Sequence, residues 1–179
     1  EALAADAAKK LRSLELVFES IRTFGTPRRL TLAIDGLQSR QADSRQEHIG
    51  PSKKAGFDGD GKLTKAAVGF ARSRGFEPEQ IQVVTTAKGE YLMVVEDVKG
   101  QETSALLPAL LESLVRELVF PKSMRWADYN MTFARPIQWL LALYDGAVIP
   151  LTLEGLDSGG TTRGHRFLAP ASFSVTGID

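Results

Sequence analysis

Apolar residues in this chain recur with two periods, and the switches between them mark the elements. Over the first thirteen residues Leu3, Ala7 and Leu11 return every fourth position in an Ala- and Lys-rich stretch without a breaker, which predicts a helix. The period then shortens to two. Residues 16–24 and 30–37 read as strands, with Leu30, Leu32 and Ile34 alternating against Thr31, Ala33 and Asp35. Between them Gly25-Thr26-Pro27-Arg28-Arg29 reads as a turn with two exposed cations, and residues 38–49 are polar enough for a surface strand or a loop. Thr64 is placed to cap a helix that runs to Arg74 and closes at Gly75, with Ala67, Phe70 and Ala71 inward. Residues 81–86 and 90–98 predict a hairpin about Lys88-Gly89. The near-continuous apolar run from Tyr91 to Val95 marks its second arm as central.

The second half begins with the clearest amphipathic pattern, Leu106, Leu107, Leu110, Leu111, Leu114, Val115 and Leu118, with Pro108 expected in the first turn and Pro121 beyond the end. Pro136 is expected to open a further helix with Ile137, Leu140, Leu141 and Leu143 inward and Gly146 after its end. Residues 147–153 read as a short strand, and residues 154–170 hold four glycines. Strands and helices mix without strict alternation, which predicts an α+β fold: a mixed, mainly antiparallel sheet with packed helices. No linker interrupts the chain, so residues 1–179 are expected to form one domain, with 1–50 as a candidate subdomain. The chain starts at Glu1 and ends in the strand-like Ser174-Val175-Thr176-Gly177-Ile178-Asp179, which suggests a piece of a longer protein.

Composition narrows the chemistry. Of the 179 residues, 43% are hydrophobic and 25% charged, the ordinary globular mixture, and no apolar run reaches the ~18–20 residues of a membrane helix. Cysteine is absent, which excludes disulfides, thiolate metal sites and thiol nucleophiles. Lys and Arg number 22, as do Asp and Glu, so any nucleic-acid role must rest on a local patch.

Several suggestive strings lack a working part. Asp58-Gly59-Asp60-Gly61 starts like a calcium loop, but Lys62 stands at its fifth position and Leu63 at its sixth. His48-Ile49-Gly50-Pro51 and Lys122-Ser123-Met124-Arg125 echo the signatures of class I aminoacyl-tRNA synthetases. Pro51 replaces the second imidazole there, no helix is expected to follow, and the second string has its residues in the wrong order. Gly159-Gly160-Thr161-Thr162-Arg163-Gly164 lacks the Gly-Lys-Ser/Thr ending of a phosphate loop, and the two histidines lack partners at metal-binding spacing. No catalytic constellation is left.

Basic and aromatic clustering is the feature that survives. One group is Lys122, Arg125 and Trp126 with Phe133 and Arg135; another is Arg163, His165, Arg166 and Phe167; a third is Arg28 and Arg29. Guanidinium planes suit phosphate forks, and aromatic rings stack on unpaired bases. The same residues could equally pack in a core or pair with carboxylates.

These strings also carry a family resemblance. Thr26-Pro27-Arg28-Arg29-Leu30, Lys65-Ala66-Ala67-Val68-Gly69-Phe70-Ala71-Arg72, Lys88-Gly89-Glu90-Tyr91-Leu92 and Pro121-Lys122-Ser123-Met124-Arg125-Trp126 occur in one order. Phe133-Ala134-Arg135-Pro136-Ile137-Gln138-Trp139-Leu140 and Thr162-Arg163-Gly164-His165-Arg166-Phe167 follow. The chain resembles the N-terminal part of the β subunit of bacterial heterotetrameric glycyl-tRNA synthetase. The resemblance implies a cytoplasmic protein of translation, partnered by an α subunit in an α2β2 assembly and by tRNA(Gly), with no DNA or membrane partner. It implies that ATP, with magnesium, is used by the α subunit, so that this part holds no cofactor and no catalytic residue. It further implies a remoter similarity to the editing-type domain of the phenylalanyl-tRNA synthetase β chain. The expected RNA-contacting residues are Lys122, Arg125, Trp126, Arg135, Arg163, His165 and Arg166, with Phe167 in support. The alternatives are a scaffold that docks the α subunit or later β-subunit domains, and an editing site for mischarged tRNA.

Overall fold

The computed structural model describes residues 1–165 and 167–178. In chain order the elements are α1 (Ala2–Ser13), β1 (Ser20–Thr26), β2 (Arg29–Asp35), β3 (Ser44–Ser52), α2 (Lys53–Gly56), α3 (Lys65–Ser73), a 3-10 turn (Pro78–Gln80), β4 (Gln82–Thr86), β5 (Gly89–Val98) and α4 (Thr103–Arg116). Short strands follow: β6 (Leu140–Leu141), β7 (Leu143–Tyr144), β8 (Ala147–Val148), β9 (Thr152–Leu153), β10 (Leu156–Gly159), β11 (Thr161–Arg163) and β12 (Ser172–Ser174). The fold is α+β, and every strand pair is antiparallel except β6 with β10. Among the described residues no helix is long and apolar enough to cross a membrane. The chain divides into two compact units, residues 42–100 and the remainder.

The 42–100 unit is a three-stranded sheet in the order β3-β5-β4. Its central strand β5 buries Leu92, Met93 and Val94, as expected of an apolar run covered on both faces. Helix α3 begins where the sequence predicts: the Thr64 hydroxyl accepts from the Ala67 amide. It ends in a Schellman turn, with Gly75 at φ +80° and the Phe76 amide bonded to the Ala71 carbonyl. Ala67 and Ala71 are fully buried. A β-carbon on Gly50 would lie 2.6 Å from the Phe70 ring, so the bare backbone there is what lets that ring sit against β3. The Nε2 of His48, on β3, lies within hydrogen-bond distance of the Glu96 carboxylate, 2.8 Å away on β5. The His48-Ile49-Gly50-Pro51 string is thus explained by packing within a strand. Asp58 folds its own loop, accepting the Asp60 and Lys62 amides at 3.0 and 2.8 Å.

In the other unit α1 packs on α4. Leu11, Leu16 and Leu110 form one buried cluster, joined by Phe18, Ile21, Ile34 and Leu37 from the β1–β2 hairpin and the residues that flank it. A second cluster, Leu107 with Ala142 and Ile149, ties α4 to the β6–β8 region. Each buried leucine contributes about 1.5–3 kcal/mol of apolar transfer. Pro108 lies in the second turn of α4, because the helix starts earlier, at Thr103, than the leucine pattern alone implies.

The helix expected from Pro136 is absent. Residues 136–139 are irregular, and Leu140–Tyr144 are extended. The cause is the next dipeptide: Asp145 and Gly146 both have positive φ, +49° and +75°, and make a tight two-residue turn between β7 and β8. Glu154 and Gly155, at +48° and +74°, repeat the device between β9 and β10. A short apolar run without a strong period takes the structure its turns dictate. Residues 147–153, read as one strand, are split into β8 and β9 around Ile149–Leu151.

Candidate functional site

The β1–β2 hairpin is a two-stranded ribbon whose base packs on the α1–α4 cluster and whose tip is exposed. Opposed pairs run from Ser20 with Asp35 to Thr26 with Arg29. One face carries Ile21, Leu32 and Ile34; Ile21 and Ile34 pack on the α1–α4 cluster. The other face carries Ser20, Arg22, Phe24, Thr26, Arg29, Thr31 and Asp35, with the buried Ala33 opposite Arg22. At the base of that face Arg22 makes two hydrogen bonds of 3.1 Å to Asp35, and the Ser20 hydroxyl donates to the same carboxylate at 2.6 Å. The Ser20 hydrogen bond, then Arg22, holds the Asp35 carboxyl below its usual range.

At the tip the chemistry changes. Arg28 and Arg29 have no carboxylate within ion-pair distance among the described residues. Arg29 instead donates from its guanidinium to the backbone carbonyl of Arg163 and lies 6.0 Å from the centre of the Trp139 ring. One side chain therefore joins three strings that the sequence separates widely: the Arg28-Arg29 turn, the Trp139 string and the Arg163 string. On β11 the side chains alternate, with Thr162 buried and Thr161 and Arg163 exposed. Arg163 offers only its carbonyl to Arg29 and keeps its own guanidinium outward, with no carboxylate partner among the described residues.

Beyond β11 the chain turns back to β12 through a loop that His165 holds together. Its Nδ1 accepts the amides of Phe167 and Leu168 at 3.3 and 3.2 Å, and its carbonyl accepts the Ala169 amide. A β-carbon on Gly164 would lie 2.1 Å from the Ala169 carbonyl oxygen, so this closure requires glycine. Phe167 and Leu168 are 77% and 85% exposed at the tip. Arg166 lies outside the described residues.

The remaining candidates occupy the loop from residue 117 to 139. Met124 and Phe133 exchange backbone hydrogen bonds of 2.8 and 3.1 Å, forming a bridge. Lys122 and Arg135 stand two residues outside this bridge on either arm, so they leave it at the same end, whereas Arg125 and Trp126 lie inside it, toward the turn. Lys122, Arg125 and Arg135 are exposed. Phe133 packs edge-on against Phe120 at 4.6 Å, and half-buried Trp126 packs against Tyr129 at 6.2 Å. The turn at Glu154 is pinned to α4 by Arg116, 2.7 Å away; that carboxylate and then Glu112 raise the Arg116 pKa above its usual value.

The structure thus brings Arg28, Arg29, Trp139 and Arg163 together, and places Lys122 and Arg135 beyond the same end of the Met124–Phe133 bridge. The role of Arg29 as a clamp was not readable in the sequence, because its partners lie more than a hundred residues away and one of them is a backbone carbonyl. Exposed cations without a carboxylate partner among the described residues also occur at the C-terminal end of α3, at Arg72 and the capping residue Arg74. Among the described residues no group of three His, Asp or Glu side chains is placed to hold a metal ion.

Comparison with known proteins gives this arrangement a context. The sequence profile of the family described as "Glycyl-tRNA synthetase beta subunit" matches residues 1–179. Proteins named glycine–tRNA ligase β subunit are similar throughout: that of Trichlorobacter lovleyi is 50% identical over 167 residues, covering 93% of this chain and 24% of the relative. The Citrifermentans bemidjiense protein is 48% identical over 167 residues, with the same coverage, and that of Syntrophus aciditrophicus is 45% identical over 170 residues, covering 95% of this chain and 25% of its own length. The chain spans about a quarter of the length of the curated relatives it matches. With a profile matched from the first residue to the last and relatives this similar across nearly all of it, the chain belongs to the glycyl-tRNA synthetase β-subunit family.

Proposed function

We propose that this chain is a non-catalytic, tRNA-contacting part of a glycine–tRNA ligase β subunit, serving ATP-dependent attachment of glycine to tRNA(Gly) in the cytoplasm. The names of its relatives support the ligase assignment. The observation that carries the RNA role is the clamp of Arg29 on Trp139 and the Arg163 carbonyl, which presents Arg28 and Arg163 to solvent without carboxylate partners. One guanidinium from the hairpin turn and one from β11, on backbones joined through Arg29, suit recognition of phosphates. Lys122 and Arg135 extend the same kind of surface. Arg125, Trp126, His165 and Arg166 complete the proposed RNA-contacting set, with His165 acting chiefly by shaping its loop. ATP and magnesium belong on this reading to the α subunit of an α2β2 assembly. A kinship with the editing-type domain of the phenylalanyl-tRNA synthetase β chain would fit the same RNA-facing role.

The test uses the assembled α–β enzyme. Arg163→Ala is expected to weaken tRNA(Gly) binding and to lower the log–log salt slope by about 0.7–0.9, while glycine-dependent ATP–pyrophosphate exchange stays unchanged. Unaltered tRNA affinity and slope would overturn the RNA role. One observation favours a scaffold as a second reading: Phe167 and Leu168, strongly exposed at the tip of the β11–β12 loop, offer an apolar contact for the α subunit. On that reading Leu168→Asp would reduce α–β association with tRNA affinity per assembled enzyme intact.

A further inference from the structure

We infer that Phe24 is a stacking platform for an unpaired base of the bound RNA; this rests on the tRNA-contacting role proposed above and assigns it a second kind of contact. Phe24 is 54% exposed although it sits in the middle of a strand. Apart from the buried Ala33 opposite Arg22, its face of the ribbon is polar. The Arg22 guanidinium lies 6.0 Å from the ring centre and is fixed there by Asp35. Thr31 stands directly opposite the ring, and Arg29 is the diagonal neighbour on the same face, about 7–8 Å away by ribbon geometry. Phe24 is therefore flanked on its own face by two arginines, each anchored by a hydrogen bond.

The occupant follows from charge and shape. Asp35 balances Arg22, and residues 23–31 hold Arg28 and Arg29 with no carboxylate, so the ribbon's outer part suits a polyanion. An exposed ring among cations matches an unpaired nucleotide, whose base has a π-face and whose phosphates reach the neighbouring guanidiniums. Docking by an apolar protein segment would leave Arg28 without a counter-charge, and is the competing outcome.

The test compares Phe24→Ala, Phe24→Leu and Phe24→Trp in the assembled α–β enzyme with a tRNA(Gly) transcript as the probe, measuring Kd at several salt concentrations and, separately, α–β association. Loss of one base stack predicts a rise in Kd of about five- to a hundred-fold for the Ala and Leu variants. Phe24→Trp should restore binding. The salt slope should not move, because stacking releases no counterions. Kd values within twofold of the parent for Ala and Leu would overturn the inference, as would a loss in Ala that Leu repairs, or weakened α–β association with tRNA affinity intact. Arg163→Ala, run alongside, separates the two claims. If it weakens binding while the Phe24 variants do not, the RNA role stands and the stacking site falls; if it too is silent, both fall.

Discussion

Two antiparallel ribbons in this chain treat their charges in opposite ways. Along β3–β5, Arg45 meets Asp97 at 2.9 Å, His48 meets Glu96 at 2.8 Å, and just beyond the strands Lys99 meets Asp43 at 2.7 Å. Among the described residues the β1–β2 ribbon has one such pair, Arg22 with Asp35, at the end away from the turn. From there to the tip the cations run without carboxylates, and Arg29 spends its hydrogen bond on a neutral carbonyl. Exposed ion pairs add little stability, about 0–1 kcal/mol each, so the β3–β5 pairs matter mainly because they cancel the local field. The hairpin tip leaves its field uncancelled. A chain with no net charge thus still presents a local cationic surface, and pairing decides where.

The same contrast separates packing from contact. Leu92 is fully buried in β5, whereas Phe24 is half out of β1. Leu92→Ala should cost about 2–5 kcal/mol in urea unfolding of the subunit, the largest effect expected here. Phe24→Ala should change stability by well under about 1 kcal/mol and act on RNA binding instead. A Phe24→Ala cost as large as that of Leu92→Ala would erase the distinction. Next in size is Gly164→Ala. The added carbon meets the Ala169 carbonyl, the β11–β12 loop must shift, and a loss of about 1–3 kcal/mol is expected together with weaker tRNA binding.

Acid should act on the base of the hairpin. Ser20 and Arg22 lower the Asp35 carboxyl in the folded state, so the stabilisation is complete above the unfolded value of about 3.9 and is lost as pH falls through the folded one. Urea midpoints taken downward from about pH 6 should show this decline, and Asp35→Asn should flatten it. Alkali acts oppositely at Tyr144. Burial, and then Asp145, raises its pKa, so the neutral phenol favours the folded state and stability falls as pH rises past about 10; Tyr144→Phe should remove that limb. The smallest effect belongs to Arg45→Ala, which removes an exposed pair and should shift stability by less than about 1 kcal/mol.

Local chemistry explains which parts of this architecture were legible in the sequence. Thr64 and Gly75 bracket α3 because a hydroxyl cap and a left-handed glycine are short-range signals. The β4–β5 hairpin and the central place of β5 follow likewise from Lys88-Gly89 and a continuous apolar run. Residues 136–144 misled because Ile137, Leu140, Leu141 and Leu143 fit a helix face as well as extended chain, and the Asp145-Gly146 turn decides between them. At the candidate site the basic clusters were visible as composition. What joins them was not: the Arg29 contact to the Arg163 carbonyl depends on tertiary docking of the hairpin, and Phe24 looks in sequence like any inward strand residue.

The central claim is that the hairpin tip and β11, unlike the β3–β5 ribbon, hold cations kept free for phosphate. The direct measurement is the salt dependence of tRNA(Gly) binding by the assembled enzyme carrying Arg28→Ala with Arg163→Ala, set against Arg45→Ala with Lys99→Ala. The expected result is a log–log slope reduced by about 1.4–1.8 for the first pair and unchanged for the second. Equal slopes for the two double variants would contradict it.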